Sequence, residues 1–499
     1  MAEKKVLYHI ETCETIRDMM ALRAENHPDR EAFSYWDAGH TRQTRVTSRE
    51  FAQQARVLGT GLREVALPGR KIALLGENSY EWVLAFFAVT GMGATVVLLD
   101  KSQPPERLLE LMRYTDCEGL IYSPSYRDVA EAAKETLPTA PLCTDAFAPA
   151  LALGEERLAA GDTCFEDSGI DGDTVAAIAF TSGTTGRSKG VVLTHRNIAS
   201  STVISARHGN CGGRVLLMLP LHHMFGLTIS MLVPFIWGAS LYISPSLRYM
   251  SQDMAAVRPN LIFVIPAMYP MILRYVQAVG KAWPPQELPI RIFTGGAPVD
   301  PQWVERFRAF GAMLYNAYGI TECAPSIASD SDLFRYCDGA MFPLQGLEVR
   351  LDMPGPDGVG EILVKGPNVF REYYKMPEET RAAFRDGWFC TGDLGRPVEN
   401  GGLMITGRKK NLLVLGNGEN VSAEEVETRV LSIEGVQECV ASVRDGVLTI
   451  EIFPAEGMED AVRAGVVQLN GTLPPFKRIA QTIFRETEFP KNSSGKILR

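Results

Sequence analysis

From Lys71 onward, the sequence alternates between short, continuous apolar runs and longer stretches with the periodicity of helices. KIALLG, GATVVLLD and GLIYS are such runs, and the helix-like PPERLLELMRYTD stands before the last of them. LYIS, LIFVIP and IRIFTGG repeat the pattern between residues 241 and 296. Strands that are apolar throughout, and not only at alternate residues, are typical of sheets buried between helices. The alternation therefore predicts an α/β protein with buried sheets covered by helices.

The last third of the chain changes character twice. Between residues 340 and 400, Gly, Pro and Asp break short runs such as GLEVRLDMPGPDGVGEILVKGPNV, which predicts antiparallel or barrel-like structure. After Gly407, Ser422 precedes an apolar-periodic stretch with Glu425 three residues later, which predicts a helix that begins with a capping box. VQECVASV and VLTIEIF flank RDG and predict a β-hairpin. We therefore predict a small α+β domain from about residue 408 to residue 499.

The composition is that of an ordinary globular protein. A length of 499 residues predicts about three structural units at roughly 100–200 residues per domain. With 50 Lys and Arg against 59 Asp and Glu, the formal net charge is −9, which argues against nucleic-acid binding. The nine cysteines include no CxxC pair, so the sequence favours free thiols in a reducing cytosol over a disulfide framework or a zinc site.

Two long uncharged stretches, Trp82–Leu99 and Val215–Leu247, raise the question of a membrane segment. The first is interrupted by Gly-Met-Gly and predicts a helix, a turn and a strand, and the second contains Pro220 and Pro234. A spanning helix needs about 20 apolar residues without such interruptions. We predict that both stretches are buried core and that no segment is transmembrane. Because the N-terminal segment has no apolar signal region, we also expect a cytoplasmic location.

The strongest local feature is a Gly-rich loop from Phe180 to Gly190, FTSGTTGRSKG, between the apolar runs TVAAIAF and VVLTH. Small residues let backbone N–H groups approach an anion, hydroxyls add donors, and Lys189 adds a positive charge, so the loop suits a triphosphate. The P-loop of NTPases fits poorly, because Ser188 precedes Lys189 and the next segment predicts a strand instead of a helix. A flexible hairpin without a ligand is the alternative.

TSGTTGRSKGVVLTH resembles the phosphate loop of the adenylate-forming superfamily, which includes acyl- and aryl-CoA synthetases, peptide-synthetase adenylation domains and luciferases. The resemblance continues, in the family's order, at GGAP (295–298), NAYGITE (316–322), GWFCTGD (387–393), GRKKNL (407–412), GNGEN (416–420) and PKNSSGKILR (490–499). One departure is Ser188, where the family usually has proline. The resemblance implies a large N-terminal domain, 1–407, of two helix-flanked β-sheets plus a distorted β-barrel. It also implies a hinge at 408–411 and a small, mobile α+β C-terminal lid at 412–499.

Such enzymes join a carboxylate to the α-phosphate of ATP, expel pyrophosphate and pass the acyl group to a thiol, so neutralising charge between two anions is the main requirement. The resemblance implies that the following residues bind the phosphates: Thr181, Ser182, Gly183, Thr184, Thr185, Gly186 and Lys189. It implies that Thr184 and Glu322 hold Mg²⁺, and that Asp393 and Arg408 bind the ribose. The adenine would lie against Gly295, Gly296, Ala297, Asn316, Ala317, Tyr318, Gly319 and Thr321.

The resemblance also implies that Lys496 bridges the carboxylate and the α-phosphate during adenylation. A lysine in a polar C-terminal stretch is otherwise usually solvated. Lys410 matches the family's hinge position, at which the small domain turns between the half-reactions. That rotation would remove Lys496 and bring Gly416 and Gly418 toward the tunnel for the thiol.

PLHHMFG matches the segment that borders the acid pocket, where the resemblance places His223, Phe225, Gly226 and Gly319. His223 would orient the carboxylate or close the thiol channel, and a structural histidine is the alternative. No acidic residue lies between Met224 and Trp237, so an α-ammonium group would find no partner, which argues against α-amino acids. Acetate-specific relatives carry tryptophan at the position of Gly319, so we expect an open pocket for a fatty or aryl acid.

The thiol acceptor is left open by the sequence. CoA is the commonest thiol in the family, and the phosphopantetheine arm of an acyl or peptidyl carrier protein is the alternative. We therefore predict an AMP-forming acyl-CoA synthetase that uses ATP, Mg²⁺ and CoA. A stand-alone enzyme that loads a carrier protein is the second hypothesis, and a catalytically inactive nucleotide-binding relative is the third.

Overall fold

The structure is a computed structural model of the chain. It describes residues 8–37, 40–63, 70–181, 188–209, 212–279, 290–296, 299–330, 340–354, 358–399, 401–416, 420–491 and 497. Within these ranges, helices and strands alternate as the apolar runs predict. No helix in this part of the chain has both the length and the apolar character that crossing a membrane requires.

The first β-sheet has seven strands. In spatial order these are β18 (Glu372–Tyr373), β8 (Lys189–Thr194), β7 (Val175–Thr181), β4 (Thr95–Leu98), β3 (Lys71–Leu75), β5 (Gly119–Tyr122) and β6 (Leu142–Cys143). The strands from β7 to β6 are parallel, and β8 returns antiparallel to β7. Leu74 and Leu75 belong to two different apolar cores, because successive side chains of a strand point to opposite faces. Both faces of this sheet are therefore buried.

The second β-sheet has nine strands. In spatial order these are β15 (Phe342–Pro343), β14 (Ser326–Ser329), β13 (Ala312–Gly319), β12 (Ile290–Gly295), β11 (Leu261–Val264), β9 (Arg214–Leu217), β10 (Ser240–Ile243), β1 (Glu31–Trp36) and β2 (Gln43–Thr47). The strands from β13 to β1 are parallel, with antiparallel strands at both edges. The larger apolar core joins residues of this sheet to one face of the first sheet.

The remaining strands are almost all antiparallel. The third sheet contains β16 (Glu348–Asp352), β17 (Gly360–Lys365), β20 (Trp388–Pro397), β19 (Phe384–Arg385) and β21 (Leu403–Arg408). The C-terminal region contains the pair β22 (Leu412–Val414) and β23 (Asn420–Ser422), and the sheet β24 (Val436–Arg444), β25 (Val447–Pro454) and β26 (Gln481–Phe484). A separate apolar core, whose buried members begin at Leu415, lies in this region. The predicted fold class, with a large and a small domain, is confirmed. The boundary at 408–411 stays a prediction.

Helices cover the sheets and connect their strands. They are α1 (Ile16–Asn26), α2 (Ser48–Leu62), α3 (Tyr80–Gly91), α4 (Pro105–Tyr114), α5 (Arg127–Ala133), α6 (Ala148–Ala159), α7 (His195–Arg207), α8 (Val233–Ile236), α9 (Met250–Val257), α10 (Tyr269–Val279), α11 (Pro301–Arg308), α12 (Pro377–Ala382), α13 (Ala423–Leu431) and α14 (Glu459–Thr472). A wider π-helix, Phe225–Leu232, precedes α8. The uncharged stretch Trp82–Leu99 forms most of α3 and all of β4, and it is buried throughout, as predicted.

One local prediction in the C-terminal region is half right. Ser422 caps α13 by accepting a hydrogen bond from the Glu425 backbone N–H at 3.3 Å. The Glu425 carboxylate does not complete the predicted capping box, because it accepts hydrogen bonds from the Lys477 ammonium at 2.7 and 2.9 Å. A long-range ion pair therefore replaces the local contact. The predicted hairpin is confirmed, with Asp445 and Gly446 in the turn between β24 and β25.

Candidate active site

A large cavity lies between the carboxyl ends of the strands and the start of the C-terminal region. Its volume is about 1170 Å³, above the roughly 300–1,000 Å³ of a site for one small molecule. The predicted site residues in its wall are Thr181, Lys189, His223, Phe225, Gly226, Gly295, Gly296, Ala317, Tyr318, Gly319, Thr321, Glu322, Arg408 and Lys410. The volume suits two substrates held side by side.

Some predicted residues lie elsewhere. Asp393 and Asn316 are buried immediately behind the cavity wall, and Gly416 lies in the C-terminal region, where its N–H donates to Gly446 O at 2.8 Å. The predicted residues Ser182, Gly183, Thr184, Thr185, Gly186, Ala297, Gly418 and Lys496 fall outside the described residues. The described ends of the phosphate loop, Thr181 and Lys189, pair with each other across β7 and β8. The predicted strand after the loop is confirmed.

The adenine residues are brought together by parallel strand pairing. In β12 and β13, Gly295 is paired with Ala317 and Thr294 with Asn316, so both segments reach the same edge of the second sheet. The carboxyl ends of parallel strands are the usual place for a ligand site. A Cβ on Gly295 would lie 3.1 Å from the Ala317 carbonyl oxygen and 3.5 Å from the Phe225 ring. The predicted adenine wall therefore adjoins the predicted acid wall.

Two features of this edge suit a purine. Gly296 has φ +84°, and no atom lies within 4 Å of the position that a Cβ would take, so space is open beside this backbone. Asn316 Oδ1 is buried and accepts no hydrogen bond from the described residues. An exocyclic amine that reached this oxygen would satisfy it. The Asn316 N–H donates to Asp330 Oδ1 at 2.7 Å, and burial raises the pKa of Asp330 to about 7.

Tyr318, Asp393 and Arg408 form one hydrogen-bonded group. The Tyr318 hydroxyl donates to Asp393 Oδ2 at 2.7 Å, and Arg408 Nε lies 2.8 Å from Asp393 Oδ1. Strand pairing fixes the second contact, because β20 and β21 place Asp393 opposite Arg408. Burial, and then the negative charge of Asp393, raise the pKa of Tyr318 well above its usual range. Tyr318 is therefore a neutral hydrogen-bond donor that orients the carboxylate.

Glu322 lies at the phosphate side of the cavity. It accepts a hydrogen bond from the Tyr373 hydroxyl at 2.8 Å, and its backbone carbonyl accepts one from Phe370 N–H at 2.7 Å. Burial raises the pKa of Glu322, and the Tyr373 hydrogen bond opposes that shift. The Lys189 ammonium lies 4.4 Å from the centroid of the Tyr373 ring. Tyr373 thus links the predicted phosphate lysine to the predicted metal carboxylate, and the sequence analysis missed it.

The acid side of the cavity is built on the π-helix. A Cβ on Gly226 would lie 2.2 Å from the Pro220 carbonyl oxygen, so only glycine fits this close approach. Wide helical turns of this kind occur frequently at functional sites. Gly319 is also confined: a Cβ there would lie 2.0 Å from the Pro325 carbonyl oxygen. The missing side chain of Gly319 therefore makes room for the Pro325 backbone. The expectation of an open pocket does not follow from Gly319 by itself.

The histidine pair stands beside an aspartate that the sequence analysis did not single out. His222 Nε2 lies 3.2 Å from Asp100 Oδ1, and the rings of His222 and His223 are 4.3 Å apart. Burial, and then the neighbouring His222, lower the pKa of His223 to about 4, so His223 is neutral at pH 7. One ligand atom from each of these three residues lies within 4.8 Å of the others, a spacing that a divalent cation could bridge.

The segment around the proposed hinge makes hydrogen bonds both to the third sheet and to the C-terminal region. Lys409 Nζ donates to Glu361 Oε2 of β17 at 2.8 Å. On the other side, the Arg408 N–H donates to Glu424 Oε2 of α13 at 3.5 Å, and Ser422 donates to the Thr406 carbonyl oxygen at 2.6 Å. The segment around Arg408 therefore connects the cavity wall directly to the C-terminal region.

Comparison with known proteins agrees with this geometry. The family model "AMP-binding enzyme" matches residues 20–374. The chain therefore belongs to the AMP-binding enzymes of the adenylate-forming superfamily, and the predicted family is confirmed. The sulfoacetate–CoA ligase of Cupriavidus necator is 29% identical over 98% of this chain and 97% of its own length.

Two solved structures resemble the fold closely. ATP-bound MatB from Rhodopseudomonas palustris has a TM-score of 0.80 and 26% identity, covering 97% of each chain. The o-succinylbenzoate CoA synthetase of Bacillus subtilis, in complex with the acyl-adenylate intermediate OSB-AMP, has a TM-score of 0.80 and 25% identity, covering 96% of each chain. These relatives support the general reaction of an AMP-forming acid–thiol ligase. The sulfoacetate and o-succinylbenzoate enzymes differ in the acid that their names give.

Proposed function

We propose that this protein is an AMP-forming ligase that adenylates a fatty or aryl carboxylic acid with ATP and transfers the acyl group to a thiol, with CoA as the preferred acceptor. One observation carries the proposal: a single cavity of about 1170 Å³ has the predicted nucleotide residues Tyr318 and Glu322 and the apolar residue Phe225 in the same wall. The relatives named above support it, because they are CoA ligases or hold ATP or an acyl-adenylate.

In the first half-reaction, a carboxylate oxygen of the acid forms a bond to the α-phosphorus of ATP while the bond from that phosphorus to pyrophosphate breaks. We assign the phosphates to the loop that ends at Lys189, and the ribose to Asp393. Glu322 would hold Mg²⁺ with Thr184, since hard divalent cations take oxygen ligands. Bound there, the cation supplies charge neutralisation at the phosphates. The half-buried carboxylate of Glu322 suits a cation, and the nearby ammonium of Lys189 suits the phosphates.

In the second half-reaction, the thiol sulfur forms a bond to the acyl carbon while the bond from that carbon to AMP breaks. We propose that residues 412–499 turn about the hinge at 408–411 between the two reactions, with Lys410 at the pivot and Lys496 engaged only in the first. Gly416 and Gly418 would then line the approach for the thiol. Domain movements of this kind shield the reacting groups from water and bring the required side chains into the site.

The apolar wall supports a fatty or aryl acid. Phe225, Ile229 and Val233 of the π-helix and α8 line the cavity, and from Met224 to Trp237 the sequence has no acidic residue that could pair with an α-ammonium group. The neutral His223 offers hydrogen bonding near this wall without a charge of its own. A fatty or aryl tail would be buried here at low cost, and an α-amino acid would not.

We also propose a cytoplasmic location. Seven cysteines of the described residues are free: Cys13, Cys117, Cys143, Cys164, Cys323, Cys390 and Cys439. Several of them are buried in the apolar cores, where a thiol behaves as a small apolar side chain. Free thiols are typical of reducing compartments.

A pyrophosphate-release assay with a panel of carboxylic acids, with and without CoA, tests the function. We expect release with fatty or aryl acids and acyl-CoA when CoA is present. Release without any acyl-CoA would favour a carrier-protein acceptor over CoA. No release with any acid would contradict both ligase hypotheses and favour a nucleotide-binding protein without catalysis.

The two-step scheme has its own test in Lys496→Ala. We expect this variant to lose pyrophosphate release from acid and ATP by about a hundredfold or more, because one charge between two anions is removed. It should still convert supplied acyl-AMP and CoA to acyl-CoA at close to the normal rate. Equal loss of both steps would contradict the assignment of Lys496 to the first half-reaction. Lys491→Ala, at a described lysine that pairs with Glu438 and Glu488, serves as the matched control.

A further inference from the structure

The wall that would surround the tail of the acid is free of formal charge. From Ser205 to Gly296, the described residues that line the cavity include no Lys, Arg, Asp or Glu. Their largest members are Phe225, Trp237, Phe263 and Phe293, and all four are aromatic. An anionic group at the far end of the acid would lose its hydration here without gaining a partner. This wall therefore suits an uncharged tail.

The histidines of this wall do not change that conclusion. His208 Nε2 accepts a hydrogen bond from the Gln345 backbone N–H at 2.8 Å, which a doubly protonated ring cannot do. His222 Nε2 already lies 3.2 Å from the carboxylate of Asp100, and the His223 ring packs against the His222 ring at 4.3 Å. The cationic lining residues Lys101, Lys189, Arg408, Lys409 and Lys410 belong to other segments of the chain.

Two hydroxyl groups interrupt the apolar wall at one point. Ser205 Oγ, in the last turn of α7, lies 2.7 Å from Ser326 Oγ, at the start of β14, and both serines line the cavity. The Ser326 backbone N–H is itself held at 3.4 Å from Ser201 Oγ, one turn earlier on α7. The serine pair is therefore fixed by contacts between a helix and a strand that are far apart in sequence.

The hydroxyl of Ser205 is used differently from others in helices of this protein. On the same helix, Thr202 donates to the Ile198 carbonyl oxygen at 2.8 Å, and in the π-helix Ser230 donates to the Gly226 carbonyl oxygen at 2.6 Å. Such internal bonds use the only proton of the hydroxyl, so it cannot donate to a ligand. Ser205 is paired with a second hydroxyl instead. Two paired hydroxyls share one proton between them, so the other proton is available to a third oxygen atom.

We propose that the acid has an uncharged aryl tail that carries a hydroxyl group, and that the Ser205–Ser326 pair binds this group. A phenolic hydroxyl both donates and accepts, so it would complete the hydrogen bonding of the pair inside an otherwise apolar wall. The inference rests on the proposed function, since it names the substrate class of the same site.

Three acids test the proposal: 3-phenylpropanoic acid and its 4-hydroxy and 4-carboxy derivatives, in the pyrophosphate-release assay with saturating ATP. For the unaltered protein, we expect kcat/KM to be about tenfold higher for the 4-hydroxy acid than for the unsubstituted acid, the worth of one good hydrogen bond. The 4-carboxy acid should be used at least about a hundredfold less well than the unsubstituted acid, because its second charge is buried unpaired.

Ser205→Ala and Ser326→Ala should each reduce the preference for the 4-hydroxy acid over the unsubstituted acid to near unity, because the hydrogen bond to the 4-hydroxyl group is lost. The ratio of the two kcat/KM values does not change when part of the protein is unfolded. If one of the two serine variants does not fold, the other still tests the proposal. Thr202→Val removes a hydroxyl of the same helix that does not line the cavity, and it should leave the preference unchanged.

The possible results separate the two proposals. A preference of the unaltered protein for the unsubstituted or the 4-carboxy acid would overturn the inference and leave the ligase function standing. So would a 4-hydroxy preference that survives in both serine variants. If neither these three acids nor any acid of the wider panel gives pyrophosphate release, the proposed function itself is contradicted.

Discussion

Arg408 Nε lies 2.8 Å from Asp393 Oδ1, and this contact joins the predicted ribose site to the first residue of the proposed hinge. Asp393 is only 3% exposed, and its second carboxylate oxygen accepts a hydrogen bond from the Tyr318 hydroxyl. The backbone N–H of Arg408 meanwhile faces Glu424 in the C-terminal region. A nucleotide that engages Asp393 would therefore act on the same residue that connects the two domains.

Asp393→Asn should weaken ATP use specifically. An amide keeps the size of the side chain but removes the charge that pairs with Arg408 and would bind the ribose hydroxyls, so we expect KM for ATP to rise about 10–100-fold. KM for the acid should change by less than about threefold, because Asp393 is not part of the acid wall. Tyr318→Phe, which keeps the ring, should have a smaller effect on KM for ATP. Equal rises in both KM values would contradict a ribose role for Asp393.

Tyr373→Phe should change the pH dependence of adenylation. The Tyr373 hydroxyl stabilises the ionised form of Glu322, while burial raises the pKa of Glu322. Without the hydroxyl, the hydrogen bond that lowers the pKa of Glu322 is lost while burial still raises it, so the pKa of Glu322 rises further. The proposed metal role needs Glu322 in its ionised form. As the pH is lowered, kcat/KM for ATP should therefore begin to fall at a higher pH in Tyr373→Phe than in the unaltered protein. Tyr374→Phe is the control, because its hydroxyl donates to Asp116 outside the cavity. Identical acid limbs for Tyr373→Phe and the unaltered protein would contradict the link.

Gly226→Ala should damage the acid side of the cavity. The new Cβ would lie 2.2 Å from the Pro220 carbonyl oxygen, so backbone must move, and overpacking of this kind costs about 1–3 kcal/mol of stability. We expect a lower free energy of unfolding in urea and a higher KM for the acid. Gly471→Ala, in α14, is the matched control: no atom lies within 4 Å of its Cβ position, and alanine favours a helix. Equal stability of the two variants would show that the approach to Pro220 is unimportant.

His195 makes folding sensitive to mild acid. Its ring is fully buried, its Nδ1 accepts from the Ile16 N–H at 3.2 Å, and burial, and then the Arg17 charge, lower its pKa to about 4. The unfolded chain binds a proton near pH 6.5, and the folded chain does not until about pH 4, so this contribution to stability is lost as the pH falls between those values. At pH 5.5 the loss is about 1 kcal/mol.

The measurement is urea unfolding at pH 7.5 and pH 5.5. The loss of unfolding free energy on acidification should be smaller in His195→Gln by about 1 kcal/mol, whereas the exposed His9→Gln should behave like the unaltered protein. If His195→Gln loses as much stability as the unaltered protein, His195 is not a source of the acid sensitivity.

Much of the fold could be predicted because its signals are local. The apolar stretch that forms α3 and β4 is continuous in sequence, and β24 and β25 flank their own turn. The π-helix could not be predicted, because an apolar run such as Phe225–Leu232 does not distinguish one helical period from another.

The site divides in the same way. Motif resemblance indicates Tyr318 and Glu322, which share one short segment. Tyr373 is 51 residues from Glu322 and carries no motif of its own, so only the pairing of β18 with β8 brings it into the cavity. Asp100 beside His222 was missed for the same reason. The capping box at Ser422 was half wrong because the long-range partner Lys477 competes for Glu425, and local spacing contains no information about such partners.

The most direct test of the account is the identity of the nucleotide product in a single turnover without thiol. An aryl acid and ATP should give acyl-AMP and pyrophosphate in equal amounts, up to about one of each per chain, when the quenched mixture is analysed by mass spectrometry. ADP and phosphate as products, or unchanged ATP with every acid tested, would contradict the claim that this cavity joins an acid to AMP.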